Sequence, residues 1–279
     1  MSGRPVIPNV LAGRYASASM TAIWSPEAKI VAERRLWLAV ASAQVQLGLD
    51  IPEQALADYE RVVGEVDLAS IAERERVTKH DVKARIEEFN ALAGHEHVHV
   101  GMTSRDLTEN VEQLQVRDAL LVVRDRCVAA LERLAGLAVA YSDTAITGRS
   151  HNVPAQTTTL GKRFASAADE LLVALGRLEE LIERYPLRGI KGPVGTAQDM
   201  LDLMGGDEGR LGRLEAAVAQ HLGFTQVLDS VGQVYPRSLD LDVVSALAQV
   251  AAGPSSLATT IRLMAGLDAP SSGKILWHG

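Results

Sequence analysis

The sequence predicts an all-α fold dominated by long helices, and three observations carry that reading. Apolar residues recur at helical spacing through most of the 279 residues, while the alternating β-branched and aromatic pattern of strands is nearly absent. Residues 104–135 contain neither Gly nor Pro, enough for a helix about 48 Å long at ~1.5 Å per residue. Two further long segments, one between Pro154 and Pro186 and one from Pro236 towards Met264 with Pro254 as an expected kink, complete a set that suits a helical bundle. Their apolar stripes are wide for a lone chain, which leads us to expect helices from other subunits against them.

The elements follow in order. SPEAKIVAERRLWLAVASAQVQLG opens with Ser25 as N-cap, Pro26 at the first helical position and Gly48 as stop. Shorter helices are expected near 53–62 and 67–75. TKHDVKARIEEFNALAG places Val82, Ile86, Phe89 and Leu92 on one stripe and ends at Gly94, where a left-handed C-terminal glycine belongs. Polar clusters fill the breaks: GRY at 13–15, KHD at 79–81, GMTSRD at 101–106, GRSHN at 148–152, KGPVGT at 191–196 and GQVYPRS at 232–238. Helix ends of this kind offer free backbone N–H groups and hydroxyls to carboxylates and phosphates.

Composition narrows the function. A net charge of −7 gives no general attraction to nucleic acid or anionic membrane, so any anion binding must be local. The lone Cys127 sits in an apolar-periodic stretch and reads as a small buried hydrophobe; no disulfide framework or cysteine zinc site is available. The N-terminal stretch lacks the apolar core of a signal peptide, and no uninterrupted apolar run approaches the ~18 residues of a membrane span. A soluble cytoplasmic protein is expected.

HEHVH at 95–99 matches H-E-x-x-H, a zinc motif that works when a helix sets both imidazoles on one face. Gly94 should end the preceding helix and Gly101 follows closely, so the segment reads as a connection and the zinc geometry fails. His95 and His97 then have surface or packing roles. His80 and His151 have richer neighbours, although each alone reads as structural more often than catalytic.

Taken together, RYASASMTAIWS, KHDVKARIEEFN, HVHVGMTSRDLTEN, GRSHNVPAQTTTLGKR, IKGPVGTAQD and SVGQVYPRS resemble the fumarase and aspartase superfamily of elimination lyases, and within it the adenylosuccinate lyases. The six motifs are in order over residues 1 to about 266, and Arg14-Tyr15 with His80-Asp81 favours that branch. The resemblance implies an N-terminal helical domain at 1–103, a central long-helix bundle at 104–266, a homotetramer and active sites assembled from three chains. It implies a purine nucleotide substrate, or its aminoimidazole carboxamide precursor, carrying a succinyl group on nitrogen and losing fumarate by β-elimination. By the same resemblance His151 is the general acid for the leaving amine, His80 a supporting active-site histidine and Asp81 a nucleotide contact. His99 lines the pocket, Thr103, Ser104 and Ser150 hold succinyl carboxylates, Arg14 and Tyr15 bind phosphate, Gln233 contacts substrate amide and Arg237 an anion. Ser150 stands where the family has Thr, keeping the hydroxyl. No metal or organic cofactor is implied.

The family's serine-rich loop, G-S-S-x-M-P-x-K-x-N, supplies its base and does not occur here; Ser271, Ser272 and Lys274 lack its Met-Pro and Asn, and Ser255 and Ser256 lie inside the third long segment. The expectation is therefore a chain that stops before the loop and the C-terminal part of the bundle, with residues 267–279 unrelated to the family and little activity of its own. A catalytically silent helical scaffold that oligomerises or binds nucleotide is the competing reading, and a sister lyase acting on a substrate such as argininosuccinate is another.

Overall fold

The computed structural model describes residues 7, 9–151, 153–265 and 267. The expectation for residues 268–279 falls outside them, as do Ser271, Ser272 and Lys274. Eleven helices and one two-stranded sheet account for the described elements. Contacts divide the chain into two compact units, Met1–Ala119 with Arg184–Pro236, and Leu120–Glu183 with Arg237–Gly279. The division is one of contacts and cuts two long helices, whereas the boundary expected at residue 103 marks a change in helix length.

In the first unit, Asn9 and Ser17 cap α1 (Val10–Tyr15) and α2 (Ala18–Trp24). α3 (Pro26–Gln46) begins as its sequence dictates: Ser25 Oγ accepts from Ala28 N–H and Pro26 opens the first turn. Gly48 follows in the left-handed region at φ 91°. α4 (Glu53–Val62) and α5 (Leu68–Thr78) are the two short helices. α6 (Asp81–Ala93) ends at Gly94, φ 77°, whose N–H returns to Asn90 O. Between α3, α4 and α6 the core is aromatic: Trp37 stacks on Phe89 at 6.0 Å, and Phe89 meets Tyr59 at 4.8 Å. Arg34 is wholly buried, yet its guanidinium donates to the carbonyls of Val62, Val63 and Glu65 at the end of α4 and pairs with Glu88 at 2.5 Å. Carbonyls that the helix end leaves open are thus satisfied from the core. α9 (Gln198–Leu203) and α10 (Glu208–Leu222) belong to the same unit.

α7 (Ser104–Ala140) is the longest helix and exceeds the expected span. In the second unit it is followed by β1 (Ala145–Ser150), β2 (Val153–Thr159) and α8 (Leu160–Arg184), and α11 (Ser238–Met264) runs through Pro254. The hairpin corrects the expectation of helix from Ala155 onwards. Thr157, Thr158 and Thr159 are β-branched and stand opposite Thr147, Ile146 and Ala145, so stiff side chains that crowd a helix pack across a ribbon instead. α8 buries Leu171, Ala174, Leu175, Leu178 and Leu181 on one stripe but leaves Leu172 and Val173 exposed, and α11 exposes Leu241, Val244 and Ile261. By length and composition α11 is apolar enough to cross a membrane, which a search for uninterrupted runs does not reveal; its polar residues Asp242 and Gln249 are held by Arg177 of α8. Cys127 is buried, and burial pushes its thiol pKa up.

Candidate active site

The turn that opens α7 is organised by a residue that the sequence reading passes over. Asp106 is fully buried, and its Oδ1 accepts from Arg188 Nη1 at 2.6 Å, Lys191 N–H at 2.9 Å and Gly192 N–H at 3.0 Å. Its Oδ2 accepts from Thr103 N–H at 2.9 Å, while Asp106 N–H returns to Thr103 O. One carboxylate therefore starts the helix in capping-box fashion and ties it to the KGPVGT loop. Three further α7 residues continue the seam. Asn110 exchanges hydrogen bonds with both backbone groups of Gly189, Gln113 spans Pro186 O and Arg188 N–H, and Glu109 accepts from Tyr235 N–H at 3.1 Å.

These contacts fix the loop carrying Gln233, since Arg188 Nη2 donates to Gly232 O at 3.0 Å on one side of it and Glu109 holds Tyr235 on the other. Gln233 itself is exposed. The two loops lie so close that a Cβ on Gly195 would come within 1.9 Å of Val231 O, and Gly195 has φ 88°. Only glycine fits there.

His80 caps α6. Its Nδ1 accepts from Lys83 N–H at 3.2 Å and its Nε2 lies 3.3 Å from Ser104 Oγ, so the predicted KHD and GMTSRD clusters meet. The ring is half exposed. Asp81, next in sequence, pairs with Arg85 Nη2 at 2.6 Å, and Arg85 Nη1 reaches buried Glu33 at 2.5 Å. Partial burial opposes the charged form of Asp81, but Arg85, the Val82 N–H, His80 and Lys29 together hold its pKa below the ordinary value. Burial dominates at Glu33 and raises its pKa despite Arg85.

Residues 95–100 form an irregular connection, the geometry expected of them. His95 Nε2 is 3.0 Å from Asp58 Oδ2, whereas His99 Nδ1 accepts from the Trp37 indole at 2.9 Å. The two rings serve different partners, and no cluster of three or more potential ligands exists among the described residues. His99 is mostly buried, and burial brings its pKa down to about 4; Asp106 opposes this shift, while His80 and Lys83 add to it.

Ser150 and His151 belong to the second unit. His151 is exposed in the turn joining β1 to β2, φ 51°, and not at a helix end as its sequence context suggests. A cleft beside the hairpin is lined by Ser150, Gln156, Lys162, Arg163 and Ser166. Arg237 lies 3.8 Å from Asp240 at the start of α11. Arg14 and Tyr15 close α1 and are both exposed.

Long helices, loops cross-tied at the start of the longest one, and histidines presented from helix caps and turns define the scaffold of a helical lyase. The chain belongs to the Lyase family, whose model matches residues 11–269, and within it to the fumarase and aspartase type. It is 36% identical over 264 residues to the adenylosuccinate lyase of Saccharomyces cerevisiae, covering 92% of this chain and 54% of that one. It is 32% identical over 260 residues to the adenylosuccinate lyase of Schistosoma mansoni, with the same coverage. An N-acetyl-S-(2-succino)cysteine lyase of Enterococcus italicus is 37% identical over 192 residues, 67% of this chain and 42% of the relative. The chain thus spans about half the length of the curated relatives it matches. Among solved structures, fumarate lyase from Mesorhizobium sp. BNC1 superposes with TM-score 0.75 at 25% identity, covering 90% of this chain and 59% of that one. β-Carboxy-cis,cis-muconate cycloisomerase from Acinetobacter calcoaceticus superposes with TM-score 0.78 at 22% identity over 92% and 59%.

Proposed function

We propose that this chain serves a β-elimination lyase that removes fumarate from adenylosuccinate, leaving AMP, and from the succinylaminoimidazole carboxamide ribotide of purine biosynthesis. The observation that carries the proposal is the meeting of His80, Ser104 and Thr103 at the Asp106-braced start of α7, in a chain 32–36% identical to adenylosuccinate lyases. Elimination removes a proton from a carbon next to a carboxylate, and the resulting negative charge needs donors already in place. Ser104, the hydroxyl of Thr103 and Ser150 are suited to bind the succinyl carboxylates, with Arg14 and Tyr15 on the phosphate. His80, Asp81, His99, Gln233 and Arg237 take the remaining substrate contacts. His151 is the acid for the departing nitrogen, a role that an imidazole fills at neutral pH.

No segment of the 279 residues matches the family's serine loop, and we assign the base to no residue; Ser255 and Ser256 sit within α11. The reaction as written needs no metal or cofactor. A cytoplasmic homotetramer is part of the same reading, supported by the exposed apolar residues of α8 and α11.

The test is a calorimetric titration with adenylosuccinate and with its 5′-dephosphorylated counterpart. Binding that is lost with the phosphate supports the proposal. A second reading, removal of fumarate from a succinylated thiol, is favoured by the 37% identity to the Enterococcus enzyme; binding of N-acetyl-S-(2-succino)cysteine in preference to the nucleotide would establish it. Fumarate release well above that of a His151→Ala control would refute the expectation that these residues lack the base.

A further inference from the structure

We propose that Trp37 is a positioning residue that holds His99 as the neutral imidazole protonated on Nε2, so that His99 meets an anionic substrate oxygen only as a hydrogen-bond donor. The tautomer is fixed by elementary chemistry. An indole N–H donates and has no lone pair to accept with, and it lies 2.9 Å from His99 Nδ1. Nδ1 must therefore carry its lone pair, which leaves the proton of the neutral ring on Nε2. The two ring planes meet at 89°, so the contact is an edge-on hydrogen bond and not a stack.

Both partners are held in place. Trp37 is 1% exposed, stacks on Phe89 at 6.0 Å, and Phe89 is covered on another side by the Arg34 guanidinium at 4.7 Å. His99 lies at φ 68° between Gly94 and Gly101, both also at positive φ, and Gln44 Nε2 ties the turn by donating to Val100 O at 2.9 Å. Protonating His99 would set two N–H groups against each other across the Trp37 contact. The charged groups around it are Asp106 on α7, which favours the cation, and His80 and Lys83 at the start of α6, which oppose it; with burial the largest influence, the ring titrates near 4.

His80 shows the same logic with a different donor. Its Nδ1 receives the Lys83 backbone N–H, so its Nε2 proton faces Ser104 Oγ at 3.3 Å. With Nδ1 occupied and Nε2 protonated, neither neutral ring offers a lone pair for abstracting a carbon-bound proton. That His99 donates to substrate rests on the proposed function; the Trp37 lock does not.

Long-range 1H–15N spectra of 15N-histidine-labelled protein test the lock. We expect the His99 Nδ1 resonance at an unprotonated shift and Nε2 at a protonated one, both constant from about pH 8 to pH 5. Trp37→Phe should yield a tautomer mixture, while the burial that holds the midpoint down persists. A through-hydrogen-bond coupling between Trp37 Nε1 and His99 Nδ1 in the unaltered protein gives a reading that needs no variant. A proton found on Nδ1, no such coupling, or a His99 tautomer unchanged by Trp37→Phe would each overturn the lock. Fumarate titration should shift the His99 Nε2–H proton; a stationary signal on fumarate-bound protein, with the Nε2–H tautomer intact, would overturn the substrate contact alone.

Discussion

Replacing Asp106 with Asn removes one charge from a carboxylate that solvent does not reach, and the structure allows the cost to be worked out. Asn can keep Oδ1 towards Arg188, Lys191 N–H and Gly192 N–H, but its amide then points a donor at the donor Thr103 N–H, which now sits 2.9 Å from Oδ2. Losing that cap contact costs about 1 kcal/mol. The larger loss is electrostatic: Arg188 is fully buried and would keep its charge without a counter-ion, a change that typically costs ~3–5 kcal/mol. Arg188 retains acceptors on Gly189, Gly192 and Gly232, which argues for the low end and a total of about 4 kcal/mol. Against a typical total stability of ~5–15 kcal/mol this is a large fraction. Urea unfolding followed by tryptophan fluorescence should show a lower midpoint at unchanged slope. A loss below about 1 kcal/mol would refute the assignment of Asp106 as the tie of the site. Asp106→Leu combined with Arg188→Met should cost more than Asp106→Asn alone, because it removes both charges but leaves Thr103, Lys191 and Gly192 N–H without their acceptor and the carbonyls of Gly189, Gly192 and Gly232 without their donor.

A second consequence concerns pH. His99 titrates near 4 when folded and near 6.5 when unfolded, so between those values the unfolded chain binds the extra proton and stability rises with pH. The gain is on the order of 3 kcal/mol across the window. His99→Gln, which can still accept from Trp37, should flatten that slope; Asp81 and Asp58 lose stabilising charge as pH falls below the usual carboxylate range in both proteins. Parallel stability curves for the two proteins would count against a neutral, partly buried His99. Gly195→Ala should cost at least about 2 kcal/mol, since it adds left-handed strain to the clash with Val231 O. Gly176→Ala, inside α8 with nothing near its Cβ position, should instead raise the midpoint by the equivalent of ~0.5–1 kcal/mol.

The helices were legible where the instructions are local. Ser25, Pro26 and Gly48 bracket α3 in sequence as they do in space, and Gly94 ends α6 by the same short-range geometry. The hairpin was not legible, because three threonines disclose a strand only when Ala145–Thr147 lies opposite them. The site was half legible. His80 and Ser104 could be named from their motifs, but Asp106 looks like a first-turn surface acid until Arg188, 82 residues away, is brought beside it. A signal was present in the polar residues at 106, 109, 110 and 113, which share one helix face; polar spacing of this kind reads as solvent exposure unless the loops that cover it are known. Trp37 likewise reads as core, and its hydrogen bond to a residue 62 positions on has no counterpart in the sequence pattern.

The β1–β2 ribbon has a practical consequence for following the site as it forms. Two strands alone are marginal in water, and here they carry His151 in their connecting turn, so their amides should exchange with deuterated solvent well before those of α3. A gain of protection on Thr147 and Thr157 with rising protein concentration would report subunits closing on the ribbon. The same gain at constant concentration, on adding a dicarboxylate, would report the ligand, making the exchange rate of one hairpin a gauge that separates assembly from occupancy.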